Sequence, residues 1–298
     1  MPSPLPPFEL QRWRALPFAE RMRQICQAWA LEGYDPPVAL YLAYLVKVGL
    51  IYVGGWCFFC GFTPGLGSPT ELMEWAATPV AFQKALLWSM AYEGLGLGCA
   101  SGPLTGRTAP PIGGLLYFLR PGTTKLPLWP GMPLLGGHRR TWLDVALYLA
   151  HQAVIFRALM SPEISPDLLW PTLLLLPLLG LADKTLFLAS RSEHYYTALL
   201  CLVFAGPWIA GCQLVWVAIW LWAATSKFNH HFTSAVCVML SNSPVVPVWL
   251  RRRLYRDYPD DLRPSTLAAC MAHAGTFTEY AFPLLLLCGD GGTLTLVG

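Results

Sequence analysis

Apolar residues along this chain come in long runs rather than in strict alternation, and polar residues collect in the gaps between them. Hydrocarbon about 30 Å thick needs roughly 20 such residues per helix. By that measure the runs predict membrane-spanning helices at about 37–62, 79–104, 142–160, 168–188, 195–224 and 265–289. A further stretch, 229–249, is interrupted by Asn229, His230, His231, Asn242, Pro244 and Pro247. It is read as a broken crossing, with a re-entrant segment as the alternative, since irregular backbone at membrane depth is tolerated where protein or a cavity surrounds it. The expected architecture is all-α: a polytopic helical membrane protein of about seven crossings behind an amphipathic N-terminal arm, 1–36.

Lys and Arg in short loops mark the cytoplasmic side. The arm carries Arg12, Arg14, Arg21 and Arg23, the 105–141 connection carries Arg107, Arg120, Lys125, Arg139 and Arg140, and 189–194 carries Arg191. Loops 63–78 and 161–167 instead carry Glu71, Glu74, Glu163 and Asp167. Arg251, Arg252, Arg253, Arg256 and Arg263 join the cytoplasmic set if 229–249 crosses, which puts the N-terminus inside and Ser226–His231 near the outer face. The 105–141 connection is too dense in turn signals, from Pro110-Pro111 to Gly136-Gly137, to be one helix. Its apolar piece Ile112–Leu119 is too short to span, and lies in the interface or re-enters. No apolar run begins before about residue 37, so a cleavable signal peptide is not expected. Residues 290–298 read as a tail that starts a further element, which suggests a truncated chain.

Composition agrees with a bilayer. The chain is 55% hydrophobic and 12% charged, with 13 Trp, 27 Pro and 26 Gly. That is about half the charge of an average soluble domain, and Trp anchors interfaces while Gly and Pro are tolerated inside membrane helices. The net charge of +3 and its division among loops give no sign of a nucleic-acid partner; membrane lipids, a membrane complex or a missing C-terminal half are the expected partners. Cys57 and Cys60 have the CxxC spacing but no second pair or nearby His, so packing is favoured over metal or redox chemistry. No metal site is expected, and the cofactor is unknown.

Ionisable groups inside the runs are costly and so mark function or pairing. Lys47 and Glu93 fall near the middle of the first two runs and are read as an ion pair, either structural or part of a relay. Glu93-Gly94-Leu95-Gly96-Leu97-Gly98 lacks the strand a dinucleotide fingerprint needs, and its small residues suit close helix packing. Asp144, Tyr148, His151 and Ile155 share a helix face, with His151 a core residue or a ligand. In the last run Glu279 lies at mid-span beside His273, Thr276 and Tyr280, with Pro283 one turn on releasing its carbonyl. Ser226-Lys227-Phe228-Asn229-His230-His231 closes the Trp-rich run. The two His point about 100° apart on a helix and cannot readily chelate one metal. Lys227 can snorkel, hold an anionic headgroup or act as a base in a dry pocket.

Two resemblances add to this reading. Trp222-Ala223-Ala224-Thr225-Ser226-Lys227-Phe228 and Thr278-Glu279-Tyr280-Ala281-Phe282-Pro283 resemble the horizontally transferred transmembrane domain, a superfamily that includes the vitamin K-dependent gamma-carboxylase. The resemblance implies Lys227 as candidate catalytic base, while gamma-carboxylation itself is not carried over. Through Leu45-Val46-Lys47-Val48, Phe118–Lys125 and Ser226–Pro244 the whole chain also resembles the N-terminal half of an uncharacterised family of large bacterial multi-span proteins. The leading expectation is a bacterial inner-membrane enzyme acting on a lipid or lipid-soluble substrate through an outward-facing cavity. Lys227, Glu279 and His273 would be catalytic, with His151, His230, Lys47 and Glu93 as the polar lining. The alternatives are a transporter or lipid-binding subunit, and a structural subunit of a larger membrane complex.

Overall fold

A computed structural model describes residues 9–33, 38–98, 113–243 and 245–288. The Pro-rich start, the Gly98–Gly102 pairing, Arg107, Pro110-Pro111, Ile112, Pro244 and the tail fall wholly or partly outside those residues. In chain order the helices are α1 (Leu10–Ala15), α2 (Phe18–Glu32), α3 (Val38–Val46), a π-helical segment Lys47–Val53, α4 (Gly54–Cys60), α5 (Leu72–Trp75), α6 (Pro79–Gly94) and α7 (Gly113–Phe118). They continue with α8 (Trp142–Leu159), α9 (Pro166–Ala182), α10 (Lys184–Ala189), α11 (Ser192–Phe204), α12 (Trp208–Ser226), α13 (Phe232–Ser241) and α14 (Val248–Arg253). A short antiparallel hairpin, β1 (Tyr255–Asp257) and β2 (Asp261–Pro264), precedes α15 (Thr266–Cys288).

Local chemistry explains several of these boundaries. Thr141 and Asp144 form a reciprocal capping box at the start of α8, satisfying backbone donors that the first turn leaves free. Pro79 and Pro166 open α6 and α9, where the missing N–H costs nothing. At its far end α6 stops at Gly94, and the left-handed Gly96 turns the chain away.

Three expected helices are divided. The 195–224 run is broken at Ala205–Pro207, because Pro207 has no N–H to donate and disfavours helical geometry in Gly206 before it. The ends of α11 and α12 then pack on each other, with Cys201 lying 3.0 Å from where a side chain on Gly211 would begin. The 229–249 stretch becomes the 10-residue α13 and the separate α14, and at 1.5 Å per residue α13 is about 15 Å long, half a bilayer core. The 168–188 run divides at Asp183, which ends α9 and caps α10. Among the described residues two stretches are long and apolar enough to cross a bilayer, Tyr41–Cys60 and Trp208–Ser226. Only 18% and 17% of them is buried, so their apolar side chains face outward.

The chain forms two compact units, Met1–Ala43 with Trp216–Gly298, and Tyr44–Val215. The second unit is built on the α8–α9 hairpin, with α6 against α8 and α11 against α9. Leu87, Ala91, Ile155, Leu159, Leu169 and Leu199 form its core. Gly55 makes room for Trp88, whose indole N–H donates to the Tyr52 carbonyl in the π-helical segment. Around α7 a second cluster seals Phe118 and Tyr148 against Leu179 and Leu186.

In the first unit the N-terminal arm is docked. Helix α2 packs on α13, α14 and β2. Its C-terminal carbonyls are taken by Ser241, which donates to Ala30, and by Arg251, which donates to Leu31 as well as to Ser243 and Val246. Helix α13 runs beside α15, and Cys237, Leu254, Tyr255 and Ala268 close the core beneath them.

Candidate functional site

The turn between α12 and α13 is held by Asn229. Its side-chain oxygen accepts from the backbone N–H groups of His231 and Phe232, and its amide donates to Ser226 O. Both helix ends would otherwise leave backbone groups unpaired. With the turn fixed, the Lys227 ammonium donates to Glu279 Oε1 of α15. It also lies 5.7 Å over the Phe232 ring. Thr225 and Tyr280 share a hydrogen bond of 2.7 Å, and the rings of Phe228 and Tyr280 stack at 5.8 Å. Two residues singled out separately, 52 positions apart, are therefore partners. Glu279 stands about 20 Å along α15 from Thr266, well inside the helix rather than at its end.

This ion pair differs from the other two buried ones in how open it is. About a quarter of each partner is accessible, 24% for Lys227 and 23% for Glu279, and among the described residues Glu279 Oε2 has no hydrogen-bond partner. His230 and His231 are exposed, their rings 3.7 Å apart. His273 is exposed too; six residues before Glu279, it sits about 120° round α15 and about 9 Å along it.

The remaining expected residues belong to the second unit. Lys47 opens the π-helical segment and is 8% exposed. Glu93 Oε1 lies 3.6 Å from Arg191 Nε, and Lys47 is the other cation whose charge bears on Glu93. Arg191, brought in from the 189–194 connection, thus joins Lys47 as a cation acting on Glu93. Tyr52 and Ser89 share a hydrogen bond of 2.7 Å beside them. His151 is 3% exposed with neither ring nitrogen partnered, and Gln152 Oε1 and Thr172 Oγ1 are likewise buried without partners.

Other buried charges are structural. Lys84 is fully buried and donates to the Phe59 carbonyl at 2.7 Å, closing the end of α4. Cys57 and Cys60 pack there with Trp75 and Ala81. Lys125 and Asp144 pair at 2.5 Å, and Arg140 pairs with Asp183. In both carboxylates each oxygen is bonded: Thr141 completes Asp144, and the backbone N–H groups of Leu126 and Thr185 complete Asp183. Reading these loop cations as interfacial charges missed both pairs. The Thr141-x-x-Asp144 spacing was the available signal for one of them. Among the described residues no three His, Cys, Asp or Glu are grouped to hold a metal ion.

Two outward-facing apolar stretches, each long enough to cross a bilayer, fit a helical membrane protein. The chain belongs to the family DUF3556, transmembrane proteins of unknown function, whose family model matches residues 1–298. No curated protein and no solved structure matches it.

Proposed function

We propose that the protein is a membrane-embedded enzyme acting on a lipid or lipid-soluble substrate, with Lys227 and Glu279 as its proton-transferring couple. The observation that carries this is the contrast among its ion pairs. Lys125–Asp144 and Arg140–Asp183 are sealed at 0–4% exposure with every carboxylate oxygen bonded. Lys227–Glu279 is partly open and keeps an unused acceptor. An amine and a carboxylate within hydrogen-bond reach of each other, and open enough for a substrate to approach, are residue types that general acid–base chemistry uses. His230 borders the same turn, whereas His273 faces another side of α15 and takes no part in this reading.

The reading places the chain in a bacterial cytoplasmic membrane with the N-terminal arm inside. Support comes from the first unit, where α2 packs on α14 and so gathers the two arginine-rich segments together. A second reading, proton- or ion-coupled transport through the second unit, draws on Lys47, Glu93 and Arg191 beside the π-helical turn, a distortion frequent at functional sites.

The test compares lipid extracts from cells expressing the wild type, Lys227→Ala and Glu279→Gln at equal folded protein levels. A lipid-soluble species that is consumed or formed only with the wild type supports the enzyme. Identical extracts would sink it. pH-driven flux into liposomes that Glu93→Gln abolishes and Lys227→Ala does not would favour transport.

A further inference from the structure

Helix α2 has two opposite faces with different fates. One carries Gln27, Ala30 and Leu31, whose backbone and side-chain groups bond Tyr258, Pro259, Ser241 and Arg251 of the first unit. The other carries Phe18, Met22, Cys26 and Trp29, spaced i, i+4, i+8 and i+11 and so aligned in one stripe. Phe18 is 70% exposed, Met22 38% and Trp29 46%, and Cys26 is also exposed. A docked helix that turns an apolar stripe outward needs something other than water against it.

The charges of the first unit indicate what the stripe meets. Arg12 and Arg14 on α1, Arg252 and Arg253 on α14, and Arg256 on β1 are exposed, and none of them is in an ion pair among the described residues. Of the hairpin's three carboxylates Asp260 is engaged with Arg23 and Asp261 with Arg263, which leaves Asp257 beside Arg256. Several cations also lie over aromatic rings, Arg21 over Trp13 and Phe18, and Arg253 over Trp249, which is itself 60% exposed. An apolar and aromatic stripe on one face of a helix, bordered by Arg21 and carried by a unit with exposed arginines outside any ion pair, is the pattern of a helix lying in a membrane interface. Uncompensated positive charge is complementary to an anionic leaflet.

We propose that α2 lies in the plane of the membrane surface, its Phe18–Trp29 stripe at the headgroup–acyl boundary and the unpaired arginines of α1, α14 and β1 binding anionic phospholipid headgroups. The arm is then a lipid-composition-sensitive anchor, independent of the Lys227 site.

Cys26 lies in the stripe and serves as reporter. The full chain is labelled with an environment-sensitive thiol fluorophore, with a Cys26→Ser chain labelled in parallel to give the background. Both are reconstituted into nanodiscs of phosphatidylcholine alone or with phosphatidylglycerol. Nitroxide-bearing lipids with the quencher near the headgroup should quench the Cys26 signal more than those with it near the chain end. Phosphatidylglycerol should increase that quenching, and Arg12→Gln with Arg14→Gln, Arg252→Gln and Arg253→Gln should remove roughly half or more of the increase, as should high salt. Free quenching by aqueous iodide in both lipids would put the stripe in water. Shielding from iodide and from both nitroxides would mean a protein covers it. Either result overturns the proposal. Phe18→Ser is a second variant that leaves the docked face untouched and should weaken the lipid quenching by itself.

Discussion

Replacing Asp183 with Ala should destabilise the second unit by about 3–5 kcal/mol, the cost of stranding one member of a buried ion pair. Its carboxylate, 3% exposed, accepts from Arg140 and from two backbone N–H groups, Leu126 at 3.1 Å and Thr185 at 3.0 Å. Without it the Arg140 guanidinium, 1% exposed, keeps only neutral acceptors, the Tyr117 carbonyl at 3.2 Å and the Thr123 hydroxyl at 2.6 Å. These neutral bonds set the expectation at the lower end of the range. At about 2–4 °C per kcal/mol for a domain of this size, a loss near 3 kcal/mol should lower the apparent melting temperature by roughly 6–12 °C. Converting the pair together, Arg140→Met with Asp183→Leu, removes the stranded charge and should recover most of the loss, short of about 1 kcal/mol for the α10 cap. The assay is the fraction of detergent-solubilised protein that survives heating as a monodisperse peak, read for both single variants and the double variant. Asp183→Ala melting with the wild type, or a double variant as weak as the single, would refute the sealed-pair argument. Lys227→Ala provides the contrast: its pair is open by about a quarter and solvent-screened, so it should cost about 1 kcal/mol or less.

Three further expectations use the same thermal assay or a simple titration. Gly55→Ala places a methyl 2.6 Å from the Trp88 ring and should cost about 1–3 kcal/mol, while Gly275→Ala, with open space around it in α15, should be neutral or stabilising by about 0.5–1 kcal/mol; the reverse order would contradict the packing. His151→Leu removes two unpartnered buried nitrogens and should leave stability unchanged or raise it, by up to about 1–3 kcal/mol; a large drop would show that the ring holds something. The Asp261 carboxyl is pulled from its ordinary 3.8 down to about 2 by hydrogen bonds from the Arg263 side chain and backbone. With the folded value below the unfolded one, its contribution to the 255–264 hairpin is complete above about pH 4 and lost as pH falls towards 2. Hairpin amide exchange should accelerate across that window in the wild type and not in Asp261→Asn, and matching profiles would dismiss the pairing.

Much of the helical content could be read from the chain because helices announce their starts locally. Thr141-x-x-Asp144, Pro79 and Pro166 are boundary signals that need no tertiary information. Helix interruptions were harder, although Gly206-Pro207 is printed in the sequence. A hydropathy run sums the apolarity of side chains, and Pro207 does not alter that sum; it acts on the backbone, by withholding an N–H. The run from Tyr195 to Thr225 therefore reads as one element while folding as two. The 229–249 stretch, by contrast, reads as broken from its polar residues and prolines, and its apolar residues divide between α13 and the approach to α14.

Site residues were legible one at a time and not as pairs. The cost of an ionisable group in hydrocarbon singles out Lys227, Glu279, Lys47 and Glu93 by position alone, because each needs a partner wherever it lies. Which partner depends on how helices are placed side by side, and so Lys227 finding Glu279, or Arg191 reaching Glu93, could not be read along the chain. The converse error is equally physical. Lys125 and Arg140 lie among turn residues and read as loop charges facing water, yet both are buried and paired. Finding a charge in an apolar setting therefore does not separate structure from function in this protein. On the proposed reading completeness does: where every donor and acceptor around a buried pair is satisfied, further bonding has no free atom to use, and where Glu279 Oε2, like Glu93 Oε2, is left over among the described residues, it has one.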